Sequence, residues 1–361
     1  MRIGLFIDTF NLGGAEVMVF ELANLLHSAG HTPILLHFGS DYVINHAKQH
    51  GMEQYQIPFR HHYKKTVQLP LFALKVRPFL KSLKLDCLHS HLYGPCVAMS
   101  MACVGSRIKS VGTLHDIYTI EERPARIQLL KIATWLGTQV IVVSTQMYKF
   151  YIDHGINSKH LQHIPNFAPE LPALRDPIAL KTSLGLSPQQ KIVLSVGRLV
   201  ALKGFNRVID AARQLPPACT ILIVGDGPER QQLAQTIADQ KLSDRVLLLG
   251  ERHDVQNLLQ IADVFVLASD TEGLSRSILE ALSAGLPVVA TRVGGNHDLV
   301  ENEQNGYLVP LDHIEQLGQR VAAILTDDSL RQKLGNNSKN KARQQFSVDA
   351  FLSQHLLSYR H

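Results

Sequence analysis

The sequence lacks any stretch of about twenty consecutive apolar residues, the length that a helix needs to cross a bilayer. Its apolar start, Met1–Ile7, is broken at Asp8 and is shorter than the core of a signal peptide. We interpret this start as a strand. The expectation is therefore a globular, cytoplasmic protein.

Cysteine is scarce, and its spacing matches neither a metal motif nor a redox motif. There are four cysteines, and no two of them form a C-x-x-C pair. Their neighbours are mostly apolar, as is typical of reduced thiols in the core of a cytosolic protein. The four are Cys87, Cys96, Cys103 and Cys219.

Three further signals are missing. No complete G-x-G-x-x-G dinucleotide fingerprint occurs. His89 and His91 alternate on a predicted strand and would share one face, but no third metal ligand follows at a suitable spacing. The net charge of +5 comes without a nucleic-acid motif. We therefore predict no metal, no cofactor and no nucleic acid, and we attribute the charge to an anionic substrate or an anionic lipid surface.

What the sequence does contain is a repeated alternation of buried strands and amphipathic helices. This alternation predicts an α/β fold with parallel sheets, and 361 residues are enough for two domains with a core each. Val140–Ser144 is predicted as the last strand of the first half. Prolines then mark the linker between the domains, at Pro165, Pro169, Pro172 and Pro177.

The stretch Glu272–Val300 combines a helix start with a glycine turn. An apolar strand precedes it, and Thr271 or Ser269 is suited to cap a helix that begins near Leu274. A later strand leads into the turn at Gly294–Gly295. Backbone N–H groups and the positive end of a helix dipole would meet here, which is an arrangement suited to a phosphate.

Two carboxylates bracket this predicted phosphate site. Glu280 follows Glu272 by eight positions, or about two helical turns, which is too far apart for a paired acid and base. Both could accept hydrogen bonds from hydroxyls at opposite ends of an extended ligand. A phosphate between two polyhydroxylated groups describes a nucleotide sugar. In the alternative interpretation, both are ordinary charges on a helix.

This segment resembles the E-x7-E region of the retaining glycosyltransferases of family 4. The resemblance implies the GT-B fold, with two Rossmann-like domains whose parallel sheets face each other across a cleft. It implies an acceptor-side domain over 1–167, a nucleotide-sugar domain over 168–345 and a C-terminal helix over 346–361 that crosses back to the first domain.

Other parts of the family pattern occur in order along the chain. Gly197-Arg198-Leu199 and Lys203-Gly204 resemble the family's G-R-L…K-G turn. In that turn, Arg198 and Lys203 would hold the donor diphosphate in place of a metal ion. The backbone of Gly273, Leu274 and Ser275 would bind the same diphosphate. Glu272 would hold sugar hydroxyls, and Glu280 the ribose hydroxyls.

The resemblance extends to weaker matches. The turn over 11–16 contains Gly13 and Gly14, whose backbone would approach the donor phosphates, and His115 in a His-Asp pair would contact the donor sugar. Asp226 would shape the nucleotide pocket, and the backbone near Arg252 would read the base. One departure is Phe167 after Asn166, where the family usually has glycine; it weakens the case for a ligand contact at this turn.

Together these features predict a retaining, metal-independent glycosyltransferase that uses a UDP-hexose, with GDP as a second choice. The acceptor would be a glycan or a lipid-linked saccharide in cell-surface polysaccharide synthesis. Two other functions are open: a nucleotide-sugar epimerase of the same fold, and a non-catalytic protein that binds a sugar nucleotide.

Residues 60–84 carry many basic and few acidic side chains, interleaved with apolar ones. One interpretation is an amphipathic helix that packs on its own sheet after a mobile loop. The other is contact with anionic lipid at the inner face of the cytoplasmic membrane.

Overall fold

The computed structural model describes residues 1–10 and 13–360. These residues form two compact units: Met1–Asn166 with Asp349–His361, and Phe167–Val348. Among the described residues, no helix is both long enough and apolar enough to cross a membrane.

The described part of the first unit contains a seven-stranded parallel sheet in the order β3-β2-β1-β4-β5-β6-β7. Its strands are β1 (Arg2–Phe6), β2 (Thr32–His37), β3 (Glu53–Gln56), β4 (Cys87–His91), β5 (Lys109–Leu114), β6 (Gln139–Val142) and β7 (Leu161–His163). Its helices are α1 (Gly14–Ser28), α2 (Asp41–His50), α3 (Arg60–Tyr63), α4 (Leu69–Ser82), α5 (Tyr93–Cys103), α6 (Tyr118–Glu122), α7 (Arg126–Trp135) and α8 (Thr145–Asp153).

The prediction that Val140–Ser144 is the last strand of this half was wrong. Leu161–His163 forms β7, in which Leu161 lies opposite Val140 of β6. The strand is only three residues long, and Leu161 is its one buried side chain. Without a period of alternating apolar residues, its sequence is indistinguishable from the linker that follows.

The basic stretch over 60–84 is more helical than expected. It comprises α3, a 3₁₀ turn over Thr66–Gln68 and α4, so the predicted mobile loop is replaced by short helical turns. Helix α4 buries an apolar face that includes Phe72, Val76 and Leu80, and these side chains join the core beneath β1 and β2.

The second unit contains a six-stranded parallel sheet in the order β10-β9-β8-β11-β12-β13. Its strands are β8 (Lys191–Val196), β9 (Cys219–Val224), β10 (Val246–Leu248), β11 (Val264–Leu267), β12 (Val288–Thr291) and β13 (Gly306–Val309). Its helices are α9 (Pro177–Ser183), α10 (Phe205–Ala211), α11 (Arg230–Asp239), α12 (Val255–Ile261), α13 (Arg276–Ala284), α14 (Asn296–Leu299), α15 (Gln316–Thr326) and α16 (Asp328–Gln345).

The last helix, α17 (Val348–Arg360), lies almost entirely within the first unit. Its Tyr359 hydroxyl lies 2.8 Å from Nδ1 of His89 in β4. Both side chains are buried, so this contact ties the end of the chain to the centre of the first sheet.

Both sheets have the doubly wound order, in which the strand order reverses at the centre. In the first unit the reversal lies between β1 and β4, and in the second it lies between β8 and β11. Open α/β sheets bind ligands at the carboxyl ends of the strands that flank this reversal. The loops after β1, β4, β8 and β11 are therefore the expected positions of ligand sites.

Candidate functional site

The loops after β8 and β11 in the second unit meet through a lysine and a glutamate. Lys203, at the end of the 3₁₀ turn Ala201–Lys203, lies with Nζ 2.6 Å from Oε1 of Glu272. The Glu272 side chain is 7% exposed and that of Lys203 27% exposed. A carboxylate this deeply buried is stabilised by a paired cation, so the two predicted residues form one unit.

Ser269 completes the environment of this carboxylate. Its hydroxyl donates to the same Oε1 atom of Glu272 at 2.6 Å, and its carbonyl accepts from the Thr291 hydroxyl, also at 2.6 Å. Ser269 was predicted only as a helix cap. In the structure it instead fixes the Glu272 carboxylate through a local contact across three positions.

The glycines of this region are required by close backbone packing. At Gly294, whose φ is +50°, a Cβ atom would lie 1.7 Å from the carbonyl oxygen of Glu272. The amide of Gly295 donates to that same oxygen at 3.1 Å. At Gly204, whose φ is +61°, a Cβ would lie 2.1 Å from the carbonyl oxygen of Ala268. The glycines therefore lock the backbone on both sides of Glu272.

The predicted helix start was wrong by two residues. Helix α13 begins at Arg276, and its cap is Ser275, whose hydroxyl accepts from the amide of Ile278 at 3.4 Å. Ser269 does not cap the helix because it lies six residues before Ser275, too far from the first free N–H groups of the helix. Gly273 and Leu274 thus form the connection between Glu272 and the first turn, where an α-helix directs free N–H groups outward.

Glu280 lies within α13, separate from the Lys203–Glu272 pair. Its Oε1 accepts from Nε of Arg276 at 2.8 Å, and the Glu280 side chain is 15% exposed. Arg276 was not predicted as a partner of Glu280, although a spacing of four residues is typical of an ion pair on one helix face.

Arg198 is the least constrained cation of this region. It is exposed, and its guanidinium has no hydrogen-bond or ion-pair partner among the residues that the structure describes. Its loop is held by the turn after β9: at Gly225 a Cβ would lie 1.9 Å from the carbonyl oxygen of Gly197. The backbone is therefore fixed while the guanidinium is free to meet a ligand.

The two remaining residues of the second unit that were predicted to lie at the donor site make local ion pairs. Asp226 accepts from Arg230 at 2.7 Å, and both side chains are about half exposed. Arg252 forms a two-pronged contact with Asp254, with both N–O distances at 2.7 Å. This contact raises the pKa of Arg252 and lowers the pKa of Asp254. Both pairs follow the carboxyl ends of strands, after β9 and β10.

Arg207 of α10, which was also not predicted from the sequence, supports the loop after β11. It donates to the carbonyl oxygen of Ala268 at 2.8 Å and pairs with Asp270 at 2.6 Å. It therefore holds the backbone immediately before Glu272.

In the first unit, His115 follows β5 and contacts a second histidine. Its Nε2 lies 3.2 Å from Nδ1 of His91, and the rings are stacked with centroids 5.5 Å apart. His91 lies in turn against His89, which contacts the Thr113 hydroxyl at 2.7 Å. Burial lowers the pKa of His115 to about 4, with nearby His355 adding to the effect. The ring is therefore neutral at pH 7.

The hydrogen bonding of His91 indicates which ring nitrogens of His91 and His115 carry their protons. Nε2 of His91 is buried and has no hydrogen-bond partner in the described part of the chain. An orphaned N–H is rarer in proteins than an orphaned acceptor, which favours the His91 proton on Nδ1, donated to Nε2 of His115. His115 then carries its own proton on Nδ1, where it can donate to a hydroxyl.

The glycine turn of the first unit is described only in part, because Asn11 and Leu12 lie outside the described residues. Gly13 precedes α1 with an extended backbone. A Cβ at Gly13 would lie 2.9 Å from Oε2 of Glu16, whereas no atom lies within 4 Å of a Cβ placed on Gly14. Glu16 also accepts from the hydroxyl of Thr9.

Two family models match the chain. The model described as Glycosyltransferase Family 4 matches residues 12–169, and that described as Glycosyl transferases group 1 matches residues 178–341. Together they extend over most of both units.

Relatives match over nearly the whole length. The N-acetyl-alpha-D-glucosaminyl L-malate synthase of Bacillus anthracis is 26% identical over 367 residues, covering 97% of this chain and 94% of that protein. A Campylobacter jejuni enzyme, N-acetylgalactosamine-N,N'-diacetylbacillosaminyl-diphospho-undecaprenol 4-alpha-N-acetylgalactosaminyltransferase, is 25% identical over 352 residues, 95% of each chain. The crystal structure of HepE from Anabaena in complex with UDP matches with a TM-score of 0.86 and 25% identity, over 100% of each chain.

The matched families, the relatives and the two doubly wound sheets agree with one another. The chain belongs to family 4 of the glycosyltransferases, and it is a glycosyltransferase with the GT-B fold.

Proposed function

We propose that this glycosyltransferase moves a hexose from UDP to a glycan or a lipid-linked saccharide, with retention of configuration and without a divalent cation. The proposed setting is cell-surface polysaccharide synthesis on the cytoplasmic side of the membrane. The observation that carries the proposal is the Lys203–Glu272 contact at the carboxyl ends of β8 and β11. It joins a cation suited to a diphosphate with a carboxylate suited to sugar hydroxyls.

The names of the relatives support the choice of substrates. HepE binds UDP in its crystal structure, and the Campylobacter enzyme is named for an acceptor linked to diphospho-undecaprenol. We extend UDP and a glycan acceptor to this protein on the basis of the family that they share.

The leaving group determines what the second unit has to provide. As the bond between the sugar and the phosphate breaks, the diphosphate gains negative charge, and preorganised donors stabilise it. Lys203, Arg198 and the N–H groups near Leu274 and Ser275 are assigned this role. Lys203 is already held by Glu272, so little reorganisation is needed when a diphosphate binds.

Retention implies that the acceptor attacks from the face that the diphosphate leaves. The bond from the anomeric carbon to the phosphate oxygen breaks, and a bond from that carbon to the acceptor oxygen forms. The acceptor hydroxyl proton passes to the departing phosphate oxygen. This route needs no separate protein base.

The remaining assignments concern the orientation of the donor. Glu280 would accept from the ribose hydroxyls, and Asp226 and the backbone near Arg252 would line the nucleotide pocket. His115 would donate to a hydroxyl of the sugar through Nδ1. The backbone of Gly13–Gly14 would approach the phosphates.

Turnover of a UDP-hexose panel tests the proposal, with release of UDP measured in EDTA. Lys203→Met should lower kcat/KM by roughly 10²- to 10³-fold, as expected for the loss of a preorganised electrostatic contact. Lys333→Met, an exposed lysine of the same unit, should leave turnover unchanged. Release of UDP that does not depend on any acceptor and yields an isomerised sugar would indicate an epimerase instead.

We also propose that the surface around α4 contacts anionic lipid. Val67 is 93% exposed and Leu74 is 63% exposed, and the same segment carries exposed lysines at 65, 75 and 81. Exposed apolar side chains interspersed with lysines favour binding to an anionic interface.

Sedimentation with phosphatidylglycerol vesicles tests this surface. Replacing Lys65, Lys75 and Lys81 together with Glu should abolish co-sedimentation. The matched control replaces Lys48, Lys149 and Lys159, which are exposed elsewhere on the first unit. Equal co-sedimentation of both triple variants would contradict the proposal.

A further inference from the structure

A cavity of about 560 Å³ opens in the first unit at the carboxyl ends of β1, β4 and β5. This is the point where the strand order of the sheet reverses, the usual place for a ligand in an open α/β sheet. Its lining includes His115 and Asp116, and it extends between the residues just before α4 and the start of α7.

Both carboxylates of the cavity are engaged within the protein. Asp8 accepts from the Tyr63 hydroxyl at 2.5 Å. Asp116 accepts from the amide of Thr119 at 3.2 Å. Burial raises the pKa of Asp8. Each carboxylate of the cavity therefore already has a hydrogen-bond donor within the protein.

Two cations of the cavity are not engaged in this way. Lys64 and Arg123 line it and are exposed. Neither side chain has a hydrogen-bond or ion-pair partner within residues 1–10 and 13–360. A third cation, Arg126, donates to the carbonyl oxygen of Thr119 and pairs with Glu122. The available charge of the cavity is thus positive.

The remaining wall is apolar. Leu69, Val97 and Leu114 are buried and Leu129 is partly buried. A ligand with a hydrocarbon or sugar-ring face would cover this wall. The cavity therefore combines free cations, an apolar wall and the polar Asp8–Tyr63 pair.

From this combination we infer that Lys64 and Arg123 form an anion subsite in this cavity, which holds a phosphate or a carboxylate of the acceptor. The inference rests on the proposed function and narrows its acceptor class to hydroxyl-bearing anions. Arg123 suits such a group because its planar guanidinium can bind two oxygens at once.

Two kinds of acceptor carry such an anionic group, and they differ in size. One is a small hydroxy acid such as L-malate, which appears in the name of the N-acetyl-alpha-D-glucosaminyl L-malate synthase of Bacillus anthracis. The other is a saccharide on a lipid diphosphate, whose tail would run along the apolar wall. The test therefore uses one probe of each kind.

Isothermal titration of the full-length protein, with UDP at saturation, measures binding of L-malate and of farnesyl diphosphate-linked N-acetylglucosamine. Neutral octyl glucoside serves as the uncharged probe. One anionic probe should bind, and the double variant Lys64→Gln, Arg123→Gln should weaken it by about tenfold or more, because contacts with charged groups are lost. Lys48→Gln with Arg107→Gln removes the same charge from exposed positions outside the cavity and should bind like the wild type.

The probe that binds identifies the source of the anion. Binding of neither anionic probe, equal binding by the two double variants, or equal affinity for octyl glucoside would each overturn the inference. A preceding titration of the wild type with UDP alone tests the proposed function separately. Failure of UDP to bind would count against that function, and the probes titrated without UDP would still decide the role of the cavity.

Discussion

At the scale of single residues, the proposed chemistry depends on the contact between Lys203 and Glu272, and we expect this contact to stabilise the second unit as well. Glu272 is nearly buried and shares one carboxylate oxygen between a lysine and a serine. Removing the lysine alone would leave a buried charge without its counterion. Such a loss costs more than the pair itself contributes.

We therefore expect Lys203→Met to lower the free energy of unfolding by about 1–3 kcal/mol. Adding Glu272→Gln should recover most of that loss, because an amide needs no counterion. Turnover should stay low in the double variant, since neither the cation nor the carboxylate is present. Urea denaturation and UDP release measure the two effects.

The double variant should regain stability without regaining turnover, and this difference is the test of the pair's role. A double variant that regains both would show that the pair is structural only. A Lys203→Met protein as stable as the wild type would show that Glu272 does not depend on its partner.

The residue contacts were the part of the site that sequence could least predict. Lys203 and Glu272 are 69 positions apart, and Tyr63 and Asp8 are 55 apart. The family resemblance supplied the first two residues but not their contact. Nothing in the sequence indicated Tyr63, because its partner is set by the path of the chain and not by a local spacing.

At the scale of elements, prediction was better where a pattern repeats. Strands β8, β11 and β12 are mostly apolar segments with glycine turns nearby, and their positions follow from sequence. The start of α13 was misplaced because Ser269, Thr271 and Ser275 all have capping side chains. The hydrogen bond from the Ile278 amide to Ser275 identifies the cap.

The glycine turn between β12 and α14 provides the prediction at this scale. Gly294→Ala should strongly destabilise the second unit and abolish turnover, because its Cβ would overlap the carbonyl oxygen of Glu272 at 1.7 Å. Thermal unfolding and UDP release measure the effect.

Gly51→Ala is the matched control for this substitution. Gly51 has a similar φ of +64°, but a Cβ there meets no atom within 4 Å. It should cost only about 1 kcal/mol, the backbone penalty of the left-handed region. If both variants lose the same stability, close packing against Glu272 is not the reason for glycine at 294.

At the scale of the whole molecule, the buried histidines make stability depend on pH. His89, His91, His115 and His355 form one cluster in the first unit, and burial lowers the pKa of each. For His115 and His355 the pKa is about 4. In the unfolded chain the same groups titrate near 6.5.

Below pH 6.5 the unfolded chain therefore binds protons that the folded protein does not. The free energy of unfolding should fall as the pH drops from about 6.5 to about 4, by up to roughly 1.4 kcal/mol per pH unit for each histidine that stays neutral. Urea denaturation at several pH values measures the slope.

His355→Leu isolates this contribution. The variant should show a shallower slope than the wild type between pH 6.5 and 4, whereas His61→Leu, at an exposed position, should keep the wild-type slope. Identical slopes in all three proteins would exclude the histidine cluster as the source of acid sensitivity.

The overall architecture was largely accessible from sequence, since the alternation of strands and helices and the family motifs both pointed to two Rossmann-like units. The short strand β7 and the cavity of the first unit could not be predicted from the sequence. Strand β7 has a single buried side chain, and the cavity is formed by residues from segments that are distant in the chain.

In the proposed mechanism, side chains and backbone amides, not a divalent cation, neutralise the diphosphate. Isothermal titration of UDP in EDTA, with the wild type and Lys203→Met, tests it most directly. The wild type should bind UDP equally well with EDTA and with Mg²⁺, and Lys203→Met should bind about tenfold more weakly or worse. A requirement for Mg²⁺, or an unchanged affinity in Lys203→Met, would contradict the account.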